Sequence, residues 1–316
     1  MLDPMVDWLS PGIRWQMLSG EGVVHNALDP VAHVPVRLDA FDAARNASRG
    51  NVSTGDTIPP DLLVDAVPTT LITHHFCDVY YHWLFDILPR ISYVIAVLGD
   101  SCEIRLPRPK LQFQHEWLAL AAPRVAISFL SDSEIHLSSP VLIPSSSTTG
   151  TVAAPWGIRA VQEIAQHVPA KVDSPRVYIQ RRGAVSRRIV NEAELERALA
   201  RQGFVAVDAA ALTVTEQIAL FKGASTIVSP HGSALANLIF CRPGTTVIEI
   251  FGPCCGETCY PRIAQQMQLL HLGVQATELG YIRLRDRFKH LLNRSDAPFH
   301  FKVDTALVSQ ALALRG

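Results

Sequence analysis

Short apolar runs alternate with amphipathic stretches through the second half of the chain. "RVYIQ" (176–180) is β-branched and aromatic, which predicts a strand; after a basic loop, "NEAELERALARQG" opens with Asn191 and Glu194 at capping-box spacing and closes at Gly203, which predicts a helix. "FVAVD" (204–208) is the next strand, Thr213 and Glu216 mark a helix start in "TVTEQIALFKG", and "STIVS" (225–229) is a third strand. "SALANLIF" follows as a short helix and "TTVIEIF" (245–251) as a fourth strand. Near-continuous apolar strands separated by helices predict an α/β fold with a doubly wound parallel sheet, covered on both faces.

The first half is less regular. Residues 1–150 mix short apolar runs with many prolines, and "IPSSSTTGTVAAP" (143–155) has the Ser/Thr/Gly composition of a loop or linker, so two domains are expected, 1–150 and 151–316. The exception is "HHFCDVYYHWLFDILPRI" (74–91). If Asp78 caps a helix there, Trp83, Leu84, Ile87 and Leu88 form its buried stripe, and Asp78, His82 and Asp86 share another face.

Composition narrows the classes. The 316 residues are 48% hydrophobic and 18% charged, which fits a globular chain longer than one core usually supports. A net charge of -1 leaves no basic footprint for nucleic acid. No run approaches the roughly 18 to 20 apolar residues of a membrane span, and the N-terminus lacks a leader pattern; a cytoplasmic chain is expected, alone or peripheral to a membrane assembly. Six cysteines are too few for a disulfide scaffold, and Cys254, Cys255 and Cys259 lack zinc-finger spacing.

In doubly wound sheets, ligands bind beyond the carboxyl ends of the strands, and two of those turns carry chemistry. "RRGAVSRR" places Arg181, Arg182, Arg187 and Arg188 before a helix start, where guanidinium forks suit phosphate oxygens; a solvated basic loop is the alternative. "SPHGSALAN" puts His231 and Gly232 in a turn and Ser233 at a helix start. Glu249, flanked by Ile248 and Ile250 near the end of a strand, is placed to accept from ribose hydroxyls. Phosphate plus ribose suggests a nucleotide, yet neither GxGxxG nor GxxxxGK[ST] is present.

Taken as a set, "YYHWLFDILPRI", "YIQRRGAVSRRIVNEAELERAL" and "LTVTEQIALFKGASTIVSPHGSALANLIFCRPGTTVIEI" resemble glycosyltransferase family 61, which includes bacterial proteins labelled capsular polysaccharide biosynthesis. The resemblance covers roughly 74–252. It implies a GT-B-like pair of Rossmann-like α/β domains, with a nucleotide-sugar donor, expected to be UDP-linked, held mainly by the second and a glycan acceptor approached from the first. It also implies inverting hexosyl or pentosyl transfer with no cofactor and no required metal. By position, the family's basic motif falls on Arg181, Arg182, Arg187, Arg188 and Asn191, its HG turn on His231, Gly232 and Asn237, and its strand-end acid on Glu249. No DxD triplet is present, so arginines would have to neutralise the leaving group.

Inverting transfer needs a base for the acceptor hydroxyl. Asp86 could take that proton directly, or His82 could do so with Asp86 holding its tautomer, and the sequence leaves both open. A metal site would need His74, His75 and His82 to converge, but neighbours in an extended segment diverge. A core histidine beside an exposed aspartate is the structural alternative. A nucleotide-sugar hydrolase or epimerase, or a non-catalytic binding protein, would share the donor residues.

Overall fold

The computed structural model describes residues 69–72, 77–99, 102–123, 125–129, 146–148, 152–171, 175–184, 186–252, 259–276, 278–280 and 300–314. His74, His75, Cys254 and Cys255 lie outside them. The chain divides into two compact units, 1–166 and 167–316, so the helix that follows the Ser/Thr/Gly tract, α3 (Pro155–Ile164), belongs to the first unit. No helix among the described residues is long and apolar enough to cross a membrane.

In the first unit, strands β1 (Thr69–Leu71), β2 (Glu103–Leu106) and β3 (Ala126–Phe129) form a parallel sheet in that order. Helix α1 opens at Tyr80–His82, passes through a π-helical turn at Trp83–Ile87 and returns to α geometry over Leu88–Leu98. Helix α2 (Gln112–Ala121) and an antiparallel pair of β4 (Ser147–Thr148) and β5 (Val152–Ala153) also belong to this unit. Trp83, Leu84, Ile87 and Leu88 are fully buried, as the apolar stripe predicts. Asp78 is not the cap. Val79 precedes the helix, and the Asp78 carboxylate accepts from Lys110 Nζ at 3.4 Å and Gln114 Nε2 at 3.4 Å, away from the helix start. The π turn, closed by Leu88 N–H donating to Trp83 C=O, is buried all round, and it takes Asp86 into the interior.

The second unit carries a five-stranded parallel sheet of β6 (Arg176–Ile179), β7 (Val205–Val207), β8 (Thr226–Pro230), β9 (Thr246–Phe251) and β10 (Leu270–Gln275). Its order is β10-β9-β8-β6-β7, the doubly wound arrangement whose direction of winding reverses between β6 and β8. Helix α4 (Glu192–Ala200) follows β6, α5 (Val214–Gly223) precedes β8, a 3-10 helix (Ser233–Phe240) follows it, and α6 (Cys259–Gln266) joins β9 to β10.

One core cluster joins Tyr178, Val228, Ile248, Ile250 and Val274 of the sheet to Leu195 and Leu199 of α4. Phe301 of β12 (His300–Lys302), which pairs antiparallel with β11 (Glu278–Gly280), and Val308 and Ala311 of α7 (Thr305–Ala313) belong to the same cluster. The C-terminal segment is therefore part of the core.

Thr213 forms the expected capping box with Glu216. Asn191 does not. It sits at the N-cap of α4, but its amide Nδ2 donates to Val303 C=O at 2.8 Å and its Oδ1 accepts from Val303 N–H at 3.0 Å. A two-bond bridge to buried backbone satisfies groups that would otherwise be costly to leave unpaired, and it outweighs a solvated cap.

Candidate functional site

The turn after β6 is organised by one buried carboxylate. Glu192, in the first turn of α4, accepts from Tyr178 OH at 2.9 Å and from the backbone N–H of Arg181 at 3.2 Å. Burial and the Glu192 charge push the Tyr178 phenol well above its usual value, so it stays a donor. Arg182 is engaged by the same helix: Nε lies 3.6 Å from Glu192 Oε2, and its terminal nitrogen pairs with Glu196. With its side chain 54% exposed, Arg182 holds the loop to α4 rather than facing a ligand.

Arg181 is different. Burial, and then the Arg187 charge beside it, hold its guanidinium below the usual arginine value, with the Tyr260 phenol acting the other way. Among the described residues its side chain meets one hydrogen-bond acceptor, the Ser186 carbonyl, 3.4 Å from Nε, and no carboxylate. Arg187 reaches its place with a left-handed backbone, φ 60°, a conformation that strains a non-glycine residue by roughly 1–2 kcal/mol. A like charge beside Arg181 and a strained backbone each cost folding free energy, and an anion at Arg181 would offset the first. Arg188 anchors the end of the loop through its backbone: its N–H donates to His300 Nδ1 at 3.3 Å, and its C=O accepts from Phe301 N–H at 3.0 Å.

The Arg181 side chain crosses to the neighbouring strand end. A β-carbon at Gly232 would collide with its guanidinium. Gly232 has an extended backbone, φ 174°, so glycine is needed there for the close approach and not for its dihedral angle. The two turns singled out in the sequence thus meet at the carboxyl ends of β6 and β8, where the winding reverses. Ser233, partly buried, opens the 3-10 helix at the same point.

His231 stands beside them with its ring fixed on several sides. Its Nδ1 lies 2.5 Å from Glu249 Oε1, Phe251 stacks on it at 5.6 Å and 29°, and Tyr260 is tilted against it at 5.0 Å. Glu249 is fully buried, and its other oxygen meets His271 Nε2 at 2.7 Å. Both oxygens are occupied by imidazoles, so the geometry gives Glu249 a part in holding His231 instead of the ribose contact expected of it. Asn237 is also fully buried; it donates to Gln217 Oε1 at 2.9 Å and ties the 3-10 helix to α5. Asn191 and Asn237 therefore support the site without facing it.

In the first unit, His82 Nδ1 lies 2.7 Å from Asp86 Oδ2, and the Ser147 hydroxyl donates to Asp86 Oδ1. Asp86 is buried, whereas the His82 side chain is 15% exposed. A neutral imidazole that donates from Nδ1 carries its lone pair on Nε2, an arrangement in which the ring can accept a proton while the carboxylate holds its tautomer. The π turn is what sets Asp86 in this position, and such turns are frequent at functional sites.

A family model described as Glycosyltransferase 61 matches residues 80–248, just over half of the chain. The chain belongs to glycosyltransferase family 61. A search of curated proteins returns no match. The matched segment of this glycosyltransferase spans the His82–Asp86 pair, Ser147, the arginine loop and His231, and stops one residue before Glu249.

Five contributors went unread in the sequence. Ser147 lies inside the Ser/Thr/Gly tract that reads as linker, and Glu192 is one of several acids in a helical stretch. Tyr260 and His271 belong to elements the apolar pattern does not mark, and Gly273 makes room for Phe251, since a β-carbon there would lie 2.9 Å from its ring. Buried Glu249 flanked by apolar neighbours was the available signal, because a fully buried carboxylate demands donors nearby.

Proposed function

We propose that this family 61 glycosyltransferase transfers a hexosyl or pentosyl group with inversion from a nucleoside-diphosphate sugar, UDP-linked, to a glycan acceptor. The observation that carries the reading is Arg181, without a carboxylate partner among the described residues and seated against Gly232 where the sheet reverses its winding, with the Arg187 charge acting on it. A diphosphate supplies the missing charge there, and planar guanidinium groups match its oxygens.

Each compact unit has a parallel sheet of its own, which supports a GT-B-like reading with the second unit as the donor-binding half. In the transfer, the acceptor oxygen forms a bond to the anomeric carbon while the carbon–oxygen bond to the diphosphate breaks. The acceptor proton passes to His82 Nε2, with Asp86 balancing the imidazolium as it forms. The electron pair leaves with the diphosphate, where Arg181 and Arg187 stabilise the added charge in place of a metal.

The test is to incubate the protein with UDP-, GDP-, ADP- and CDP-linked sugars, with and without a pool of oligosaccharide acceptors, and to follow nucleoside diphosphate release and product anomer. Acceptor-dependent release with an inverted anomer is the expected result. Equal release without acceptor would make the protein a hydrolase, and a retained anomer would refute the single displacement.

A further inference from the structure

We infer that His271, acting through Glu249, is a positioning residue for His231, and that His231 meets the donor's diphosphate through Nε2. This rests on reading the second unit as the donor-binding half. Glu249 lies on β9 with both neighbours, Ile248 and Ile250, in the apolar core. Apolar residues at 231, 249 and 271 together would serve the fold as well, since replacing a whole buried ionic group by packed apolar residues is often neutral or stabilising. The carboxylate instead holds two imidazoles, one from the turn after β8 and one from β10.

The ring of His231 has little freedom. Nδ1 is directed at Glu249, Phe251 covers one side, and Tyr260 lies against it. Gly273, paired with Glu249 across the β9–β10 ladder, leaves the space that the Phe251 ring occupies. His231 immediately precedes Gly232, against which the Arg181 guanidinium lies, so His231, Tyr260 and Arg181 belong to one neighbourhood. A ring that donates from Nδ1 to a carboxylate and from Nε2 to a phosphate oxygen is an imidazolium, and the buried carboxylate balances its charge. His271 keeps the far oxygen of Glu249 occupied at 2.7 Å, which stops the carboxylate from turning away from His231.

The diphosphate gains charge as the sugar leaves, so a bond from His231 strengthens in the transition state and its loss falls mainly on kcat. Partners that orient a histidine from behind are commonly worth about ten- to a hundredfold. The expected result is that His271→Ala lowers kcat by about that factor with less than a threefold change in KM for the UDP-sugar. His271→Gln, whose amide N–H can still donate to Glu249, should recover most of the rate. In the full-length wild-type protein, adding UDP should shift the imidazole 15N signals of His231 and, through the shared carboxylate, of His271.

Wild-type kcat in a folded His271→Ala protein overturns the inference while leaving the donor-binding reading intact; so does a lowered melting temperature with kcat unchanged. If His271→Ala fails to fold, the wild-type spectrum decides, and a His231 signal unmoved by saturating UDP refutes the contact. No binding of UDP, GDP, ADP or CDP to the wild-type protein would refute the donor-binding reading itself, and the inference with it.

Discussion

Replacing Asp86 by Asn isolates what the buried carboxylate does for His82. Asp86 accepts from His82 Nδ1 at 2.7 Å and from the Ser147 hydroxyl, and an amide can keep only one of its two ends as an acceptor. If the amide oxygen stays with Ser147, the NH2 faces His82, the ring must turn its Nδ1 lone pair inward, and Nε2 acquires the proton. A base in the wrong tautomer loses up to about 10⁴ in rate. If the amide flips, Ser147 can rotate to accept, and the tautomer survives while the charge does not. A charge-assisted hydrogen bond worth about 1.5–3 kcal/mol then disappears from the transition state, which is roughly a ten- to hundredfold loss. Both outcomes slow transfer by at least about tenfold. Stability should change little: about 1 kcal/mol, or roughly 2–4 °C in melting temperature. The assay is the initial rate of nucleoside diphosphate release at saturating donor and acceptor, beside a thermal melt. An Asp86→Asn protein within twofold of the wild-type rate would refute the role assigned to the pair.

Three further outcomes follow from the second unit. Gly232→Ala keeps an allowed backbone but pushes aside the Arg181 guanidinium, so calorimetry should show UDP affinity reduced at least about tenfold, equivalent to about 1.4 kcal/mol, with an almost unchanged melting temperature. Arg187→Gly removes the left-handed strain at φ 60° together with a like charge beside Arg181; its melting temperature should hold or rise by a few degrees while UDP binding is lost, and a large fall in melting temperature would contradict the strained-cation account. With arginines neutralising the leaving group, transfer should persist in excess EDTA; complete loss restored by Mg²⁺ or Mn²⁺ would contradict it.

What the sequence revealed was local. The capping box of Thr213 and Glu216 formed because both partners are three residues apart, whereas the same pattern at Asn191 was overridden by Val303, 112 residues along the chain. Strands β6, β7, β8 and β9 were legible as apolar runs. Strand β10 was not, because His271 and Gly273 interrupt "LHLGVQ", and each interruption serves a neighbour on β9. The arginine loop and the HG turn were readable as anion-friendly, but their meeting depends on β8 lying beside β6, a property of strand order. Arg182 and Arg181 are adjacent and alike in the sequence; only the position of α4 assigns one to Glu196 and leaves the other by Gly232. The pairing of His82 with Asp86 likewise depends on the π turn and that of Asp86 with Ser147 on a distant segment, neither of which the helical pattern encodes.

The central claim is that the second unit binds a nucleoside diphosphate through the cations at its switch point. Titration calorimetry of UDP into the wild-type, Arg181→Ala and Arg182→Ala proteins, with melting temperatures recorded alongside, tests it most directly. The account predicts saturable binding to the wild-type protein, loss of at least about 2 kcal/mol of binding free energy in Arg181→Ala, and a change below about 1 kcal/mol in Arg182→Ala, whose exposed ion pairs serve the loop. Equal losses in the two variants, or undiminished binding in a folded Arg181→Ala protein, would contradict it.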